Sequence, residues 1–443
     1  MASIEPTLPG GFRDYLSQEM SRRQQMIDSI RTTFGLFGFS QIDTPGVERA
    51  EVLTGGDPEF KKQMYHVSHQ EGESGDLALR FDLTVPLARV FAANNSDIKR
   101  PFKRYQIGRV WRGERQQAGR YREFTQCDAD IVGTENNNAD AEIIALVYST
   151  FKNLNVGSIQ IKINNRKILN GLSAYAGFDA SKTDAVIRII DKYDKIGWKA
   201  VTEELKSGAS LTDTQIDAIQ QLVTMPRGEA GEMIQSAKTL LAKSEVAKEG
   251  LAELEQVVAQ ITNLNVPASS YVIDFSVARG LGYYTGTIYE TTLLDAPEFG
   301  SVCSGGRYDN LIERFGGVRV GAVGVSIGID RLFTAVQKLT PRSTVIPTTK
   351  VMVLNFDEKC IKEVSAITTE LRNATIATDL YCGMETNLKG QLAYAVSMNV
   401  PVVIMVGSNE KEKGVVLVKN MIARTQTEVF KDAIVEAVRG IIQ

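Results

Sequence analysis

Arg109-Val-Trp-Arg112-Gly-Glu114-Arg115-Gln116-Gln117-Ala-Gly119-Arg120-Tyr121-Arg122-Glu-Phe124-Thr-Gln126-Cys-Asp-Ala-Asp130 is the stretch on which the fold turns. Arg104 to Trp111 and Phe124 to Gly133 read as two strands. The loop Gly113 to Arg122 joins them, and its Gln, Gly and Arg residues favour an exposed hairpin tip. Between Lys99 and Arg122 nine basic residues stand against one acidic residue, Glu114. A charge run is usually a solvated face. Here its density, with Tyr105, Trp111 and Tyr121 interleaved, favours a polyanion site. Arg112 near a strand end can clamp a phosphate with its planar guanidinium. Phe124 on the returning strand can stack under a base. The same residues also suit an ordinary salt-bridged hairpin.

Outward from the hairpin, Pro86 suits a helix start, with Asp82 and Thr84 just upstream. Towards the N-terminus, Gly10-Gly11 predicts a loop. The stripe Met26, Ile27, Ile30, Phe34, Leu36 predicts an amphipathic helix after it. Downstream, Glu142 to Leu154 is helical by spacing and Ser158 to Ile163 alternates like a strand. Ser181 with Asp184 resembles a capping box opening a helix whose face carries Val186, Ile189, Ile190 and Tyr193. Residues 181–264 are Ala-, Lys-, Glu- and Gln-rich and are expected to form a helical insertion. Strand-type residues return at Tyr271 to Thr291 and at Val318 to Ile329, with a helix from Asp330. Thr340 to Thr349 reads as a linker. Residues 350–443 alternate strand and helix and are expected to form an independent α/β domain. They carry 11 basic and 11 acidic side chains, so charge does not mark them as an RNA binder.

A chain of 443 residues with 43% hydrophobic and 23% charged residues is typical of globular proteins with several domains. No window is apolar enough to span a membrane, and Met1 to Pro9 shows no secretory pattern. A cytoplasmic protein is expected. The four cysteines are dispersed and the two histidines are His66 and His69. A disulfide framework and a protein-bound transition metal are therefore not expected. Chemistry must rest on Arg, Asp, Glu, Gln and Tyr. Arg279-Gly-Leu-Gly282-Tyr283-Tyr284-Thr-Gly286 misses the dinucleotide fingerprint by one residue, and no P-loop occurs. Any ATP must be held by arginines.

The opening stretch resembles motif 2 of class II aminoacyl-tRNA synthetases, and from Gly119 to Asp130 it is similar to histidyl-tRNA synthetases in particular. Val277-Ala-Arg279-Gly-Leu-Gly-Tyr283-Tyr284 resembles that family's first histidine motif. Ser304-Gly-Gly-Arg307-Tyr308-Asp309 resembles the second, and Gly324-Val-Ser-Ile-Gly-Ile-Asp-Arg331 resembles motif 3. Leu79-Arg-Phe-Asp82-Leu-Thr84 and Gly11-Phe-Arg-Asp14 agree, so the likeness runs the length of the chain. It implies an α+β catalytic domain, an antiparallel sheet flanked by helices, split as 1–180 and 265–339 around the helical insertion. The 350–443 domain would bind the anticodon.

The resemblance also implies roles. Arg112 and Arg279 would be catalytic. Arg112, Glu114, Phe124 and Arg331 would bind ATP, which arrives as its Mg²⁺ complex. Asp82, Thr84, Gln126, Asp130, Arg279, Tyr283, Tyr284 and Tyr308 would bind L-histidine. Arg115, Gln116, Gln117, Arg120 and Arg122 would contact tRNA(His). A homodimer is implied, its motif falling at Ile42 to Val52, with no membrane partner. Without the family context, Asp130 also suits a strand-end salt bridge and Tyr284 a core tyrosine. The chain departs from the family at Gly282, where Asp is usual. Two other readings share the fold: a regulatory subunit of ATP phosphoribosyltransferase, and an RNA-binding or stress-sensing module. Those relatives do not need Arg112, Arg279 and Arg331 together.

Overall fold

The computed structural model describes residues 4–55, 63–68, 74–114, 119–278, 283–339 and 349–442. In its larger unit the strands are β1 (Ser40–Gln41), β2 (Val47–Arg49), β3 (His66–Ser68), β4 (Ser74–Leu79), β5 (Phe102–Trp111), β6 (Glu123–Val132), β7 (Ile159–Asn165), β8 (Tyr271–Ile273), β9 (Thr287–Leu293), β10 (Ser301–Arg307) and β11 (Ala322–Gly328). Eight of them form one sheet in the order β1-β5-β6-β11-β10-β9-β7-β8. The inner pairs are antiparallel, as expected, while β1 and β8 add one parallel strand at each edge. A small sheet, β2-β4-β3, stands apart from it.

Period-two alternation gives the large sheet two unlike faces. Along β6, Cys127, Ala129 and Ile131 join the main hydrophobic cluster, as do Val323, Val325 and Ile327 of β11. That cluster includes Ile30 and Phe34 of the helix Ser17–Leu36 and Ile143, Ile144 and Val147 of the helix Asn138–Leu154. Gln126, Asp128 and Asp130 alternate with the apolar set and therefore point to the other face. Leu36, counted in the apolar stripe, is 76% exposed: it is the last residue of its helix, where the chain turns away from the core.

The expected helix start before Pro86 is present. The helix Thr84–Ala93 opens with Asp82 accepting a hydrogen bond from the Val85 N–H at 3.2 Å. Ser181 does not cap. Asp179 does, accepting from the Ser181 N–H at 2.8 Å, and a 3-10 turn at Ala180–Lys182 precedes the helix Thr183–Ile190. The Ser181 hydroxyl itself donates to Asp179, at 2.5 Å, and so serves the cap two residues earlier. The capping box of this region is at Thr212 and Gln215. The helices of residues 183–263 send Val186, Ile190, Leu205, Leu222, Leu251 and Leu254 into the same cluster that covers the large sheet.

In the smaller unit, β12 (Val351–Val353), β13 (Thr378–Leu380), β14 (Val402–Met405), β15 (Val415–Asn420) and β16 (Thr425–Phe430) form a sheet in the order β13-β12-β14-β15-β16. Alternation again sorts the side chains. Val351, Val353, Val402 and Ile404 face the helices Ile361–Asn373 and Ile434–Ile442, while Met352, Leu354, Val403 and Met405 pack with Ala395 of the helix Leu388–Ser397. β16 and the short helix Ser408–Lys413 are additions to the sequence reading. β16 is an edge strand of mostly exposed residues, so it lacks the apolar alternation by which strands are read.

Candidate active site

One cavity of ≈ 380 Å³ opens on the polar face of the large sheet, with residues of β6, β10 and β11 in its lining. Its arginine-lined end is built by the hairpin and by the helix Ile329–Leu339. Asp330, in the first turn of that helix, accepts from the Thr125 N–H at 2.7 Å and pairs with Arg23 at 3.3 Å. Arg23 also donates to the Thr125 hydroxyl at 2.6 Å, and the Tyr15 hydroxyl donates to Asp330. This buried knot ties the helix to β6 and sets the next residue, Arg331, at the cavity wall. Gly119 has φ +71°, and a Cβ there would lie 3.3 Å from the Arg331 Cα. Glycine thus supplies both the backbone conformation and the close approach. Arg112 lies 5.2 Å from the Phe124 ring centroid and donates through Nε to the Phe81 carbonyl at 2.9 Å. Glu114 and Arg120 face each other at 3.7 Å, and both line the cavity.

The other end is lined by carboxyls and phenols. Asp130 pairs with Arg104 at 2.7 Å and accepts the Tyr308 hydroxyl. Arg104 is 0% exposed, because the strand register sets it directly across the ladder from Asp130. A Cβ at Gly324 would fall 1.8 Å from an Asp130 oxygen, so that carboxyl needs a glycine beside it. Tyr283 contacts Tyr284 and Tyr308 edge-on at 5.1 and 5.9 Å. Tyr283 also hydrogen-bonds the Thr84 hydroxyl. Asp82 Oδ2 and Gln126 Oε1, in the cavity lining, are among the buried acceptors with no hydrogen-bond partner among the described residues. Burial pushes the Asp82 carboxyl up to about 6, against the pull of the Val85 N–H, Arg112 and Arg104. Such an arrangement is built to receive a group with several N–H donors.

The profile of the family "Histidyl-tRNA synthetase" matches residues 11–332. The chain belongs to the histidyl-tRNA synthetase family. A second profile, "Anticodon binding domain", matches residues 349–441. The "Histidine--tRNA ligase" of Clostridium tetani is 40% identical over 99% of each chain. That of Cytophaga hutchinsonii is 39% identical over 97% of this chain and 99% of its own. The solved histidyl-tRNA synthetase of Nostoc superposes with a TM-score of 0.87 at 32% identity, covering 99% of this chain and 100% of that one. A Bacillus halodurans structure described as an ATP phosphoribosyltransferase regulatory subunit/histidyl-tRNA synthetase has a TM-score of 0.75 at 23% identity over 91% of this chain, a likeness of fold.

The histidyl-tRNA synthetase motifs meet at the cavity. Asp82, Thr84, Arg112, Glu114, Phe124, Gln126, Asp130, Tyr283, Tyr284, Tyr308 and Arg331 all line it. Arg279, Gly282, Arg115, Gln116 and Gln117 lie outside the described residues, as does the linker 340–348. Arg120, expected at the tRNA, lines this same cavity. Arg122 donates to the Glu114 carbonyl at 3.3 Å and the Gly10 carbonyl at 3.1 Å, bracing the hairpin against the N-terminal loop.

Sequence reasoning missed several residues. Ser301 to Cys303 line the cavity through β10 and Asp191 reaches it from the helical region, while Ser304, Gly305 and Ser326, seen only inside motifs, line it too. Arg307 was seen only as part of a motif. It is a buried hub that donates to the Thr134 and Asn136 carbonyls at 3.1 and 3.2 Å and pairs with Asp140 and Asp309. Its neighbour Tyr308 is thereby held against Asp130. Arg307→Leu is expected to destabilise the larger unit by about 3–5 kcal/mol, because Asp140 is left charged and buried without its partner. Urea unfolding followed by tryptophan fluorescence checks this; an unchanged midpoint would contradict it.

Proposed function

We propose that the chain carries out its family's reaction in this cavity, as an ATP-dependent histidine--tRNA ligase. Histidine's carboxylate attacks the α-phosphorus of ATP, forming histidyl-adenylate and releasing pyrophosphate. The 3′ end of tRNA(His) then takes the histidyl group and AMP leaves. The observation that carries this reading is one cavity with guanidinium groups and an aromatic face at one end, and partnerless buried acceptors among tyrosines at the other.

Two anions must meet in the first step, so cations at the α-phosphate do most of the work. Arg112 is proposed there, with Arg279 approaching from the amino-acid side. Adenine lies between Phe124 and Arg331, with Glu114 at its edge. Mg²⁺ enters with ATP as part of the substrate. Asp82, Thr84 and Gln126 accept from the α-ammonium, while Asp130, Tyr284 and Tyr308 hold the imidazole. Residues 1–180 with 265–339 act as the catalytic domain, 181–264 as the insertion and 350–443 as the anticodon-binding domain. Contacts with tRNA(His) are assigned by the family resemblance to Arg115, Gln116, Gln117, Arg120 and Arg122. A cytoplasmic homodimer is the proposed state. No helix among the described residues is long and apolar enough to cross a membrane.

Histidine-dependent exchange of pyrophosphate into ATP tests the reading. The purified chain should exchange with histidine and stay silent without it. The same assay gives a pH prediction. The Asp82 carboxylate is present above about 6 and lost below it, so the KM for histidine should rise as pH falls from 7 to 5.5 while the KM for ATP holds. Free histidine titrates nearby, at about 6.5. Asp82→Asn should therefore raise the KM throughout and remove the part of the pH dependence that Asp82 carries. A wild-type profile identical in shape to that of Asp82→Asn would contradict the role.

A further inference from the structure

None of residues 10–15 lines the cavity, yet they reach both elements that build its arginine-lined end. Their backbone extends the hairpin. The Arg112 N–H donates to the Arg122 carbonyl at 2.8 Å, and the Arg122 N–H donates to the Gly11 carbonyl at 2.8 Å. Gly11 has φ +93°, and a Cβ there would lie 2.6 Å from the Arg122 Cγ, so glycine permits this close approach. Two residues on, Arg13 meets an aromatic ring from each side. Its Nη1 donates to the Tyr121 hydroxyl at 3.1 Å. Its guanidinium carbon stands 5.7 Å from the Tyr121 ring centroid and 4.6 Å from that of Tyr15. Tyr121 lines the cavity on the returning limb of the hairpin, and the Tyr15 hydroxyl donates to Asp330, the neighbour of Arg331.

We propose that Arg13 is a positioning residue that sets the separation of the two faces between which adenine binds, Phe124 on the hairpin and Arg331 on the helix Ile329–Leu339. The proposal rests on the functional reading above, which places adenine between them. Arg13 acts through Tyr121 on one side and Tyr15 on the other. The two sides differ in what else holds them. Asp330 is already tied to Thr125 and Arg23. Tyr121 precedes β6, beyond the last pair of the β5–β6 ladder, Trp111 with Glu123, so that ladder does not fix it. A guanidinium suits the tether because it donates in its plane and lies against rings with its faces. Spacing matters because dispersion is short-ranged: a gap of about 0.5–1 Å forfeits a quarter to a half of the attraction between stacked groups.

The test reads three constants of histidine-dependent pyrophosphate exchange: the KM for ATP, for histidine and for pyrophosphate. Arg13→Ala is expected to raise the KM for ATP by about 10-fold, the order of one hydrogen bond from a charged group with its ring contacts, and to leave the other two unchanged. Histidine and pyrophosphate do not use the adenine faces. Tyr121→Phe removes only the accepting hydroxyl and should raise the KM for ATP in the same direction. In the Tyr121→Phe background, Arg13→Ala should add less than it does in the wild type, because one bond cannot be lost twice. A parallel rise in all three constants would mean general loosening and would overturn the proposal. So would an unchanged KM for ATP, or effects of the two substitutions that simply add. Tyr121→Phe decides the matter if Arg13→Ala does not fold. A wild-type chain that fails to exchange with histidine would remove the functional reading and this proposal with it. A wild type that exchanges, with variants that break the pattern, removes the proposal alone.

Discussion

Arg112→Ala is expected to lower the kcat of histidine-dependent pyrophosphate exchange by about 100- to 1,000-fold, the usual cost of removing one preorganised group that stabilises transition-state charge. The KM for histidine should move far less. Arg112 sits at the end of β5, anchored by its Nε to the Phe81 carbonyl, so its terminal nitrogens are presented in a fixed orientation. A guanidinium held this way needs little reorganisation when charge builds on the phosphate. Lys at this position should not rescue, because an ammonium on a flexible stem cannot reproduce the planar, two-pronged contact. A secondary effect is also expected. Arg112 pulls the Asp82 carboxyl down, so its loss should shift the histidine KM profile to higher pH. Steady-state exchange at saturating histidine, with ATP varied, separates these terms. An Arg112→Ala variant with near-normal kcat would contradict the assignment.

The second large effect concerns the end of the cavity proposed to hold the imidazole. Asp130→Asn is expected to reduce kcat/KM for histidine by about 1,000-fold or more, because a site built around polar partners binds poorly once one of them is mismatched. The isosteric change keeps the volume beside Gly324, where no extra atom fits. Asp130→Leu should do worse and for another reason. It strands the Arg104 guanidinium, which is 0% exposed, and such a break costs about 3–5 kcal/mol of stability. The two variants therefore separate recognition from folding. Asn keeps an acceptor for Arg104 but not its counter-charge, so it should lose some stability, less than Leu, and still bind ATP. Normal histidine kinetics in Asp130→Asn would show that another group holds the imidazole.

The hairpin at the centre of the sequence reading was legible because polar and apolar residues alternate from Arg104 to Ile107 and from Gln126 to Ile131. The basic run was legible as a run but not as a set of partners. Lys103 pairs with Glu142, Arg104 with Asp130 and Arg109 with Glu123, so part of that charge is internal to the fold. No local pattern announces such pairings. Asp140 and Arg307 are 167 residues apart, and only the tertiary packing of the helix Asn138–Leu154 and β10 brings them together. The same holds for Ser326 and Gln126, 200 residues apart on neighbouring strands. β16 escaped because an edge strand with polar residues on both sides has no periodicity to read. Short local signals misled too, as at Ser181, where a carboxylate two residues upstream takes the capping role.

Charging of purified tRNA(His) with each of the twenty amino acids tests the central claim most directly. A cavity that joins an arginine-flanked nucleotide site to a pocket of phenols and carboxyls should support ATP-dependent esterification with histidine and no other amino acid. Charging with a different amino acid, or no charging with histidine while ATP is present, would contradict it.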